Sequence, residues 1–431
     1  MSNICWTPSG ISLALHPSWV STALVAIREA MNHLKEVFQL TKKGNDMSKL
    51  TFGVIGTSKK EDEQRVPIHP DHLPRLPEEI RRQLIFEEGY GAPFSIEDSE
   101  IAAQTGGIAT RHELLANIGN VIVPKPVLSD LQELREGGIL WGWPHCVQQR
   151  AITQAAINRK QTLIAFEDMF VWGPNGQIGR HTFYKNNEMA GYCAVLHALQ
   201  LKGIDGHYGN QRKTIIFSFG AVSRGAIYAL KARGFRDITI CIQRPDHEIR
   251  EEVLGCHYVR IREGNEGEAR MVVVEHDGTV SPLSDLISQS DIIVNGTLQD
   301  PDQPMLFVSE EERSSLKPGC LIIDVSCDEG MGFFFAKPTS FKSPIFKIGT
   351  VDYYAVDHTP SYLWESASRS ISAALIVHLP TVVAGHESWQ QNETIRCAVN
   401  IDAGVIQKST ILSFQKRQPF YPHAPIDTET N

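Results

Sequence analysis

Three polar side chains stand where an apolar run gives way to turn residues: Arg65 in EQRVPIHP, Lys125 in VIVPKPVL and His145 in LWGWPHCV. A strand that ends in Pro-Lys-Pro holds its lysine rigidly at the tip, and Pro144 does the same for His145. Two cations and one imidazole at sheet ends suit a carboxylate-bearing substrate. Arginine clamps a carboxylate bidentately, lysine adds a point charge, and histidine moves a proton near neutral pH. Singly, each also fits a bland role as a surface arginine, a surface lysine or a hydrogen-bonded histidine; the argument lies in their joint placement. Further along, LIIDVSCDEG puts Asp324 at a strand end and Asp328 in the following loop. Asp328 can reach across a cleft to a nicotinamide or an amine, or simply form the turn before Glu329 and Gly330. Cys146 and Cys327 flank these groups, but Cys327 has no evident base, and His145 neighbours Cys146 only in sequence.

A second constellation lies in KTIIFSFGAVSRGAIYALKARG, Lys213 to Gly234. An apolar strand enters a small-residue turn and a helical pattern leaves it, the shape of a dinucleotide-binding βα turn. In the G-x-G-x-x-G fingerprint the first glycine permits the tight turn, the second lets backbone approach the pyrophosphate, and the third allows close helix packing. Here those places hold Ser218, Gly220 and Ser223. The glycine for phosphate approach is kept, the third residue is small, and Ser218 fits least well. Gly225 adds further relief at the helix start. Ser218, Gly220, Ala221, Val222 and Ser223 are the candidate cofactor contacts, with the serine hydroxyls as donors to the pyrophosphate. A strand–turn–helix with small residues and no ligand would look the same. Where the next strand ends, in CIQRP, an acid reading the ribose is replaced by Arg244. A cation there suits a 2′-phosphate, so the expected cofactor is NADPH ahead of NADH; a solvated loop arginine is the alternative.

The elements that must position these groups alternate. LTFGVIG, LIFEEGYG, NIGNVIVPKP, GGILWGWPHC and QTLIAFEDM read as strands, with helical patterns in HPDHLPRLPEEIRRQL and LSDLQELREG. After the amphipathic pattern YKNNEMAGYCAVLHALQLKG come strands at TIIFSFG, DITICIQ, DIIVNGT and CLIIDVS, with a hairpin suggested by HDGT. The fold class is therefore α/β with parallel, doubly wound sheets and ligands at the strands' carboxyl ends. A helix expected from about Ser361 carries the chain back to the first unit, and the polar tail after Ser409 is expected to be mobile.

The chain has 431 residues, enough for two or three domains, with net charge −9, which argues against a broad nucleic-acid or membrane-surface role. Its eight cysteines form no C-x-x-C pair. That pattern favours reduced thiols in a cytoplasmic protein and gives no metal signature. No run is long and apolar enough for a membrane span, ISAALIVHLPTVVAG being broken by His378 and Pro380. Residues 1–46 read as an appended helical extension without the features of a signal peptide, or as the product of an upstream start with Met47 as the alternative.

Taken in order, EQRVPIHPDHL, FEEGYG, VIVPKP, GWPH, YKNNEMAGYCAVLHAL, DIIVNGT, GCLIIDVSCDEG and HTPS resemble the alanine dehydrogenase and transhydrogenase superfamily. Within it, GWPH and YKNNEMAGY look most like the N(5)-(carboxyethyl)ornithine synthases. The resemblance covers about Leu50 to the helix after Ser361. It implies two Rossmann-like domains around a central cleft, the first discontinuous: a substrate domain of residues 47–183 and 355–431, and an NAD(P)-binding domain of residues 184–354. It also implies that Arg65 and Lys125 bind the carboxylate of a 2-oxo acid, that His145 is the acid/base, that Asp328 is the second domain's catalytic carboxylate, and that the protein is a homo-oligomer. The sequence departs from alanine dehydrogenase in its glycine fingerprint, in HTPS, and in HYVRIREGNEGEARMVVVEHDG, which reads as an insertion. The expected reaction is reductive coupling of pyruvate with the side-chain amine of a basic amino acid. Alanine dehydrogenase or saccharopine dehydrogenase-like activity is the alternative, and a non-catalytic nucleotide-binding protein is a further one.

Overall fold

Two sheets of mostly parallel strands organise the residues that the computed structural model describes, 49–244 and 251–426. The helix expected within residues 1–46 lies outside the described residues. In the first sheet β1 (Phe52–Val54), β2 (Leu84–Glu87), β3 (Gly107–Ala109), β4 (Asn120–Ile122), β5 (Ile139–Gly142) and β6 (Thr162–Ala165) are parallel, in the order β3-β2-β1-β4-β5-β6. The order reverses between β1 and β4, which opens a crevice beyond the strands' carboxyl ends. Among the described residues a hairpin of β7 (Phe170–Trp172) and β8 (Ile178–His181) pairs only with itself.

The second sheet repeats the winding. Strands β9 (Thr214–Phe217), β10 (Ile238–Ile242) and β11 (His257–Glu263) are parallel, and β12 (Met271–Val274) and β13 (Val280–Pro282) continue antiparallel at one edge. The sequence read as an insertion thus supplies the third parallel strand as well as the hairpin turning at HDGT. Strand β14 (Ile292–Asn295) returns beside β9. Strand β15 (Leu306–Val308) then precedes β16 (Leu321–Asp324), and β17 (Gly332–Phe333) pairs with β15. Strand β18 (Ile345–Ile348) lies antiparallel to β19 (Val351–Tyr354), which completes the parallel row beside β16. The parallel order is β11-β10-β9-β14-β16-β19, the same pattern as in the first lobe. Strands β9, β10, β14 and β16 are buried along their whole length, as sheets covered on both faces require.

Helix α1 (Tyr184–Lys202) crosses helix α2 (Ala221–Ala232) closely. A Cβ on Gly191 would sit 1.9 Å from the Val222 carbonyl oxygen, and one on Gly225 would sit 1.7 Å from that of Glu188. Gly225 therefore does the packing work of the fingerprint's third glycine, two residues late. Helix α1 is covered on most sides rather than amphipathic, and it ends at Gly203 with φ +61°.

Three sequence expectations change. The helix read over HPDHLPRLPEEIRRQL is a 3-10 turn, Pro70–Arg75, and a short helix, Glu78–Arg81, because Pro74 and Pro77 interrupt it. The returning helix α3 (Trp364–Leu375) starts after a 3-10 turn, Thr359–Leu363, and puts Ile371 and Leu375 into one core with Phe52, Phe86 and Trp141. Strand β20 (Val399–Asp402) then adds antiparallel to β6 and pairs with β21 (Val405–Ile406), so the first lobe is discontinuous. The tail, expected to be mobile, is docked as far as residue 426. Ile411 is fully buried, and the Gln415 amide donates to the carbonyls of Cys146 at 2.6 Å and Val147 at 3.1 Å.

Candidate active site

The loops after β4, β5 and β6 deliver Lys125, His145 and Glu167. Lys125 Nζ lies 2.9 Å from His145 Nε2. Burial, reinforced by the Lys125 charge, holds the imidazole well below its ordinary range, and burial also lowers the Lys125 ammonium. The imidazole is therefore neutral and the lysine donates to its Nε2. The backbone N–H of His145 donates to Glu167 Oε1 at 2.7 Å. Burial first, and then Asp168, push the Glu167 carboxyl up to about 8. Its Oε2 has no hydrogen-bond partner among the described residues. His145 takes φ +48°, a left-handed conformation that costs a non-glycine residue energy and is kept where surrounding contacts impose it.

Arg65 is buried and already engaged. Its Nε and Nη2 donate to the two Glu63 oxygens at 2.8 and 2.5 Å, and its Nη1 donates to Asn186 Oδ1 at 3.2 Å. Ser361 donates to Glu63 Oε1 at 2.7 Å. Burial raises the Glu63 carboxyl, but the Arg65 charge and the hydrogen bonds from Arg65 and Ser361 outweigh it and hold it at about 2. Of the five guanidinium N–H donors, two on Nη1 and Nη2 remain for a ligand.

From the second lobe, Asp328 faces these groups across the cleft. Burial raises it to about 6 against a hydrogen bond from Gln148 of the first lobe and the charge of Lys125. Asp324 is a fully buried support: it accepts from Asn295, the Tyr353 hydroxyl and the Cys327 N–H, and so shapes the loop that carries Asp328. Asp357 accepts from Lys60 at 3.0 Å, and His358, Lys125 and Lys60 hold it below the carboxylate range despite its burial. Cys146 and Cys327 are buried and their thiols pushed well up, which makes neither a thiolate nucleophile.

The turn after β9 is held from within. Ser218 has φ +76°, and its hydroxyl meets Ser223 Oγ at 2.8 Å and the Gly296 carbonyl at 2.9 Å. Ser223 is fully buried and also donates to the Phe217 carbonyl, so the two hydroxyls brace the turn instead of reaching outward. The residues fit a dinucleotide. Among the described residues a Cβ on Gly220 would meet nothing within 4 Å, which leaves them clear of the N-terminus of α2, where the first backbone N–H groups lack helical partners.

One cavity of about 890 Å³ joins the two constellations. Arg65, Lys125, His145, Ser218, Gly220, Ala221, Val222, Arg244 and Asp328 all line it, whereas Ser223 lies beneath it. Glu63, Asn186, Glu167 and Asp357 were missed by sequence reasoning. Glu167 was within reach of it, since it ends the strand QTLIAFEDM as Lys125 and His145 end theirs. Nothing local marks Glu63 within KKEDEQR.

Comparison with known proteins gives concordant matches. The family description "Alanine dehydrogenase/PNT, C-terminal domain" matches residues 215–409, and its N-terminal counterpart matches residues 54–172. An N(5)-(carboxyethyl)ornithine synthase of Clostridium botulinum is 26% identical over 337 residues, covering 74% of this chain and 90% of its own. An alanine dehydrogenase of Mycobacterium tuberculosis is 22% identical over 338 residues, covering 75% and 85%. Among solved structures an L-alanine dehydrogenase has a TM-score of 0.64 at 16% identity, covering 85% of this chain and 99% of its own.

Proposed function

The chain belongs to the alanine dehydrogenase/PNT family, and we propose that within it the protein couples pyruvate reductively to the side-chain amine of a basic amino acid, with NADPH as reductant. The product is an N-(1-carboxyethyl) amino acid. The observation that carries this reading is the Lys125–His145 pair, 2.9 Å apart, in a cavity that also receives Asp328 and the dinucleotide turn. The likeness to the carboxyethylornithine synthase supports the choice of amine and oxo acid.

Arg65 and Lys125 hold the pyruvate carboxylate and draw charge from its keto carbon. Asp328, ionised above about pH 6, accepts a hydrogen bond from the incoming amine. The side-chain ammonium gives a proton to Asp328; the freed nitrogen pair bonds the keto carbon, the C=O π pair passes to oxygen, and a proton moves from nitrogen to that oxygen through Lys125 and His145, leaving a hydroxyl. Lys125 and His145 relay the proton with which that hydroxyl leaves as water, giving a protonated imine. A bound reduced nicotinamide supplies the hydride. The C=N π pair passes to nitrogen, and the product is a secondary amine. Arg244 at the cavity edge favours the 2′-phosphate of NADPH.

The test is incubation with NADPH, a panel of 2-oxo acids and a panel of amines, following absorbance loss and then product mass. Pyruvate with ornithine or lysine is the expected pair. Turnover with ammonia alone would make the protein an alanine dehydrogenase. A requirement for 2-oxoglutarate would point to saccharopine chemistry, and tight NADPH binding without turnover to a non-catalytic role.

A further inference from the structure

We propose that Arg180, on the β7–β8 hairpin, binds the carboxylate of the amine-donating amino acid; this rests on the coupling reaction above. Arg180 lines the same cavity as Lys125, His145 and Asp328. Its guanidinium carbon lies over the Tyr184 ring, 3.9 Å from the centroid, and its N–H groups make no hydrogen bond among the described residues. Among the described residues it has no carboxylate partner. Arg65, beside Lys125 and His145, is by contrast paired with Glu63 and also donates to Asn186, and Arg244 lines the part of the cavity at the dinucleotide turn.

The hairpin is pinned at its base and tied to the reaction centre. Thr394 donates to the Phe170 carbonyl at 2.8 Å. His181, next to Arg180, has its Nε2 3.2 Å from the Glu167 carbonyl, and the Glu167 carboxyl receives the His145 N–H. A planar fork held at a fixed place on the cavity rim is a carboxylate reader. Pyruvate brings one carboxylate, which Arg65 and Lys125 take. Ammonia brings none and leaves Arg180 with nothing to bind. An amino acid that reacts through its side-chain amine carries its own carboxylate at the far end, and Arg180 matches it.

The experiment compares lysine with cadaverine, and ornithine with putrescine, in the full-length protein and its Arg180→Ala and Arg180→Lys variants. The diamines keep the reacting amine and lack the carboxylate. Removing one charge-assisted contact should raise KM for the amino acid roughly 10- to 100-fold in Arg180→Ala. KM for pyruvate and for NADPH, thermal unfolding and turnover of the diamines should stay unchanged, and Arg180→Lys should restore part of the loss. Equal losses for amino acid and diamine, or no loss for either, overturn the assignment of Arg180 alone. Wild-type turnover with ammonia and with no basic amino acid overturns the coupling reaction itself.

Discussion

Replacing Glu63 by glutamine tests the electrostatics of the proposed oxo-acid site. The Glu63 and Arg65 side chains are 0% and 4% exposed, so the variant leaves a buried guanidinium without its counter-charge. Breaking a buried pair by removing one partner costs about 3–5 kcal/mol. The carboxyl's own depression, from 4.5 to about 2, corresponds at ~1.36 kcal/mol per unit to about 3 kcal/mol. Because the folded-state pKa is depressed, this stability is fully present above pH 4.5 and is lost as pH falls through about 2. Denaturant unfolding of the wild type and Glu63→Gln should therefore differ by about 3 kcal/mol at pH 7, and the gap should narrow steadily below pH 4.5. Oxalate, a pyruvate-sized dianion, should raise the unfolding temperature of the variant more than that of the wild type, since it supplies the missing charge. A gap under about 1 kcal/mol, the range of exposed pairs, or a gap that does not change with pH, would refute the reasoning.

Gly220→Val should cost the free protein only about 1 kcal/mol, because valine caps the start of α2 poorly while a Cβ there meets none of the described residues within 4 Å, whereas dinucleotide binding measured calorimetrically is lost; surviving affinity would mean that the phosphates lie elsewhere. Lys125→Met removes a cation that depresses His145, so the imidazole's titration, followed by NMR, should move up toward 6.5, and kcat/KM should fall by roughly 10²–10⁴. Arg244→Ala should raise KM for NADPH and leave that for NADH alone, and equal changes would remove it from the 2′-phosphate. Asp328→Asn should raise KM for the amine more than for pyruvate, and equal shifts would deny it the amine.

The architecture was legible because parallel strands buried on both faces leave unbroken apolar runs, and TIIF, ITICI, IIVN and LIID are such runs. The loop after LIID showed Asp328, and the ends of the first sheet's runs, VIV and ILWGW, showed Lys125 and His145. Glu63 was hidden because its environment is made by Ser361, 298 positions away, while its neighbours in sequence read as a solvated charged loop. The docked tail was hidden for a related reason. Gln415 and Arg417 are anchored by hydrogen bonds to carbonyls, and polar anchoring leaves no hydropathy signal. At the nucleotide turn, sequence located the one open glycine but not the inward direction of the serines, which depends on Gly296, just past the end of β14 and 78 residues later.

The return of the chain to β6 has a consequence for biosynthesis. The second sheet spans one uninterrupted stretch, from β9 to β19, whereas the first is closed by β20 and β21, the last strands described. On the ribosome the nucleotide lobe can complete itself while its companion still lacks two edge strands and helix α3. Lys125 and His145, at the tips of β4 and β5, thus acquire their final surroundings only after β20 and β21 have emerged. Premature termination before β20 should yield a species that still captures dinucleotide yet cannot reduce anything with it.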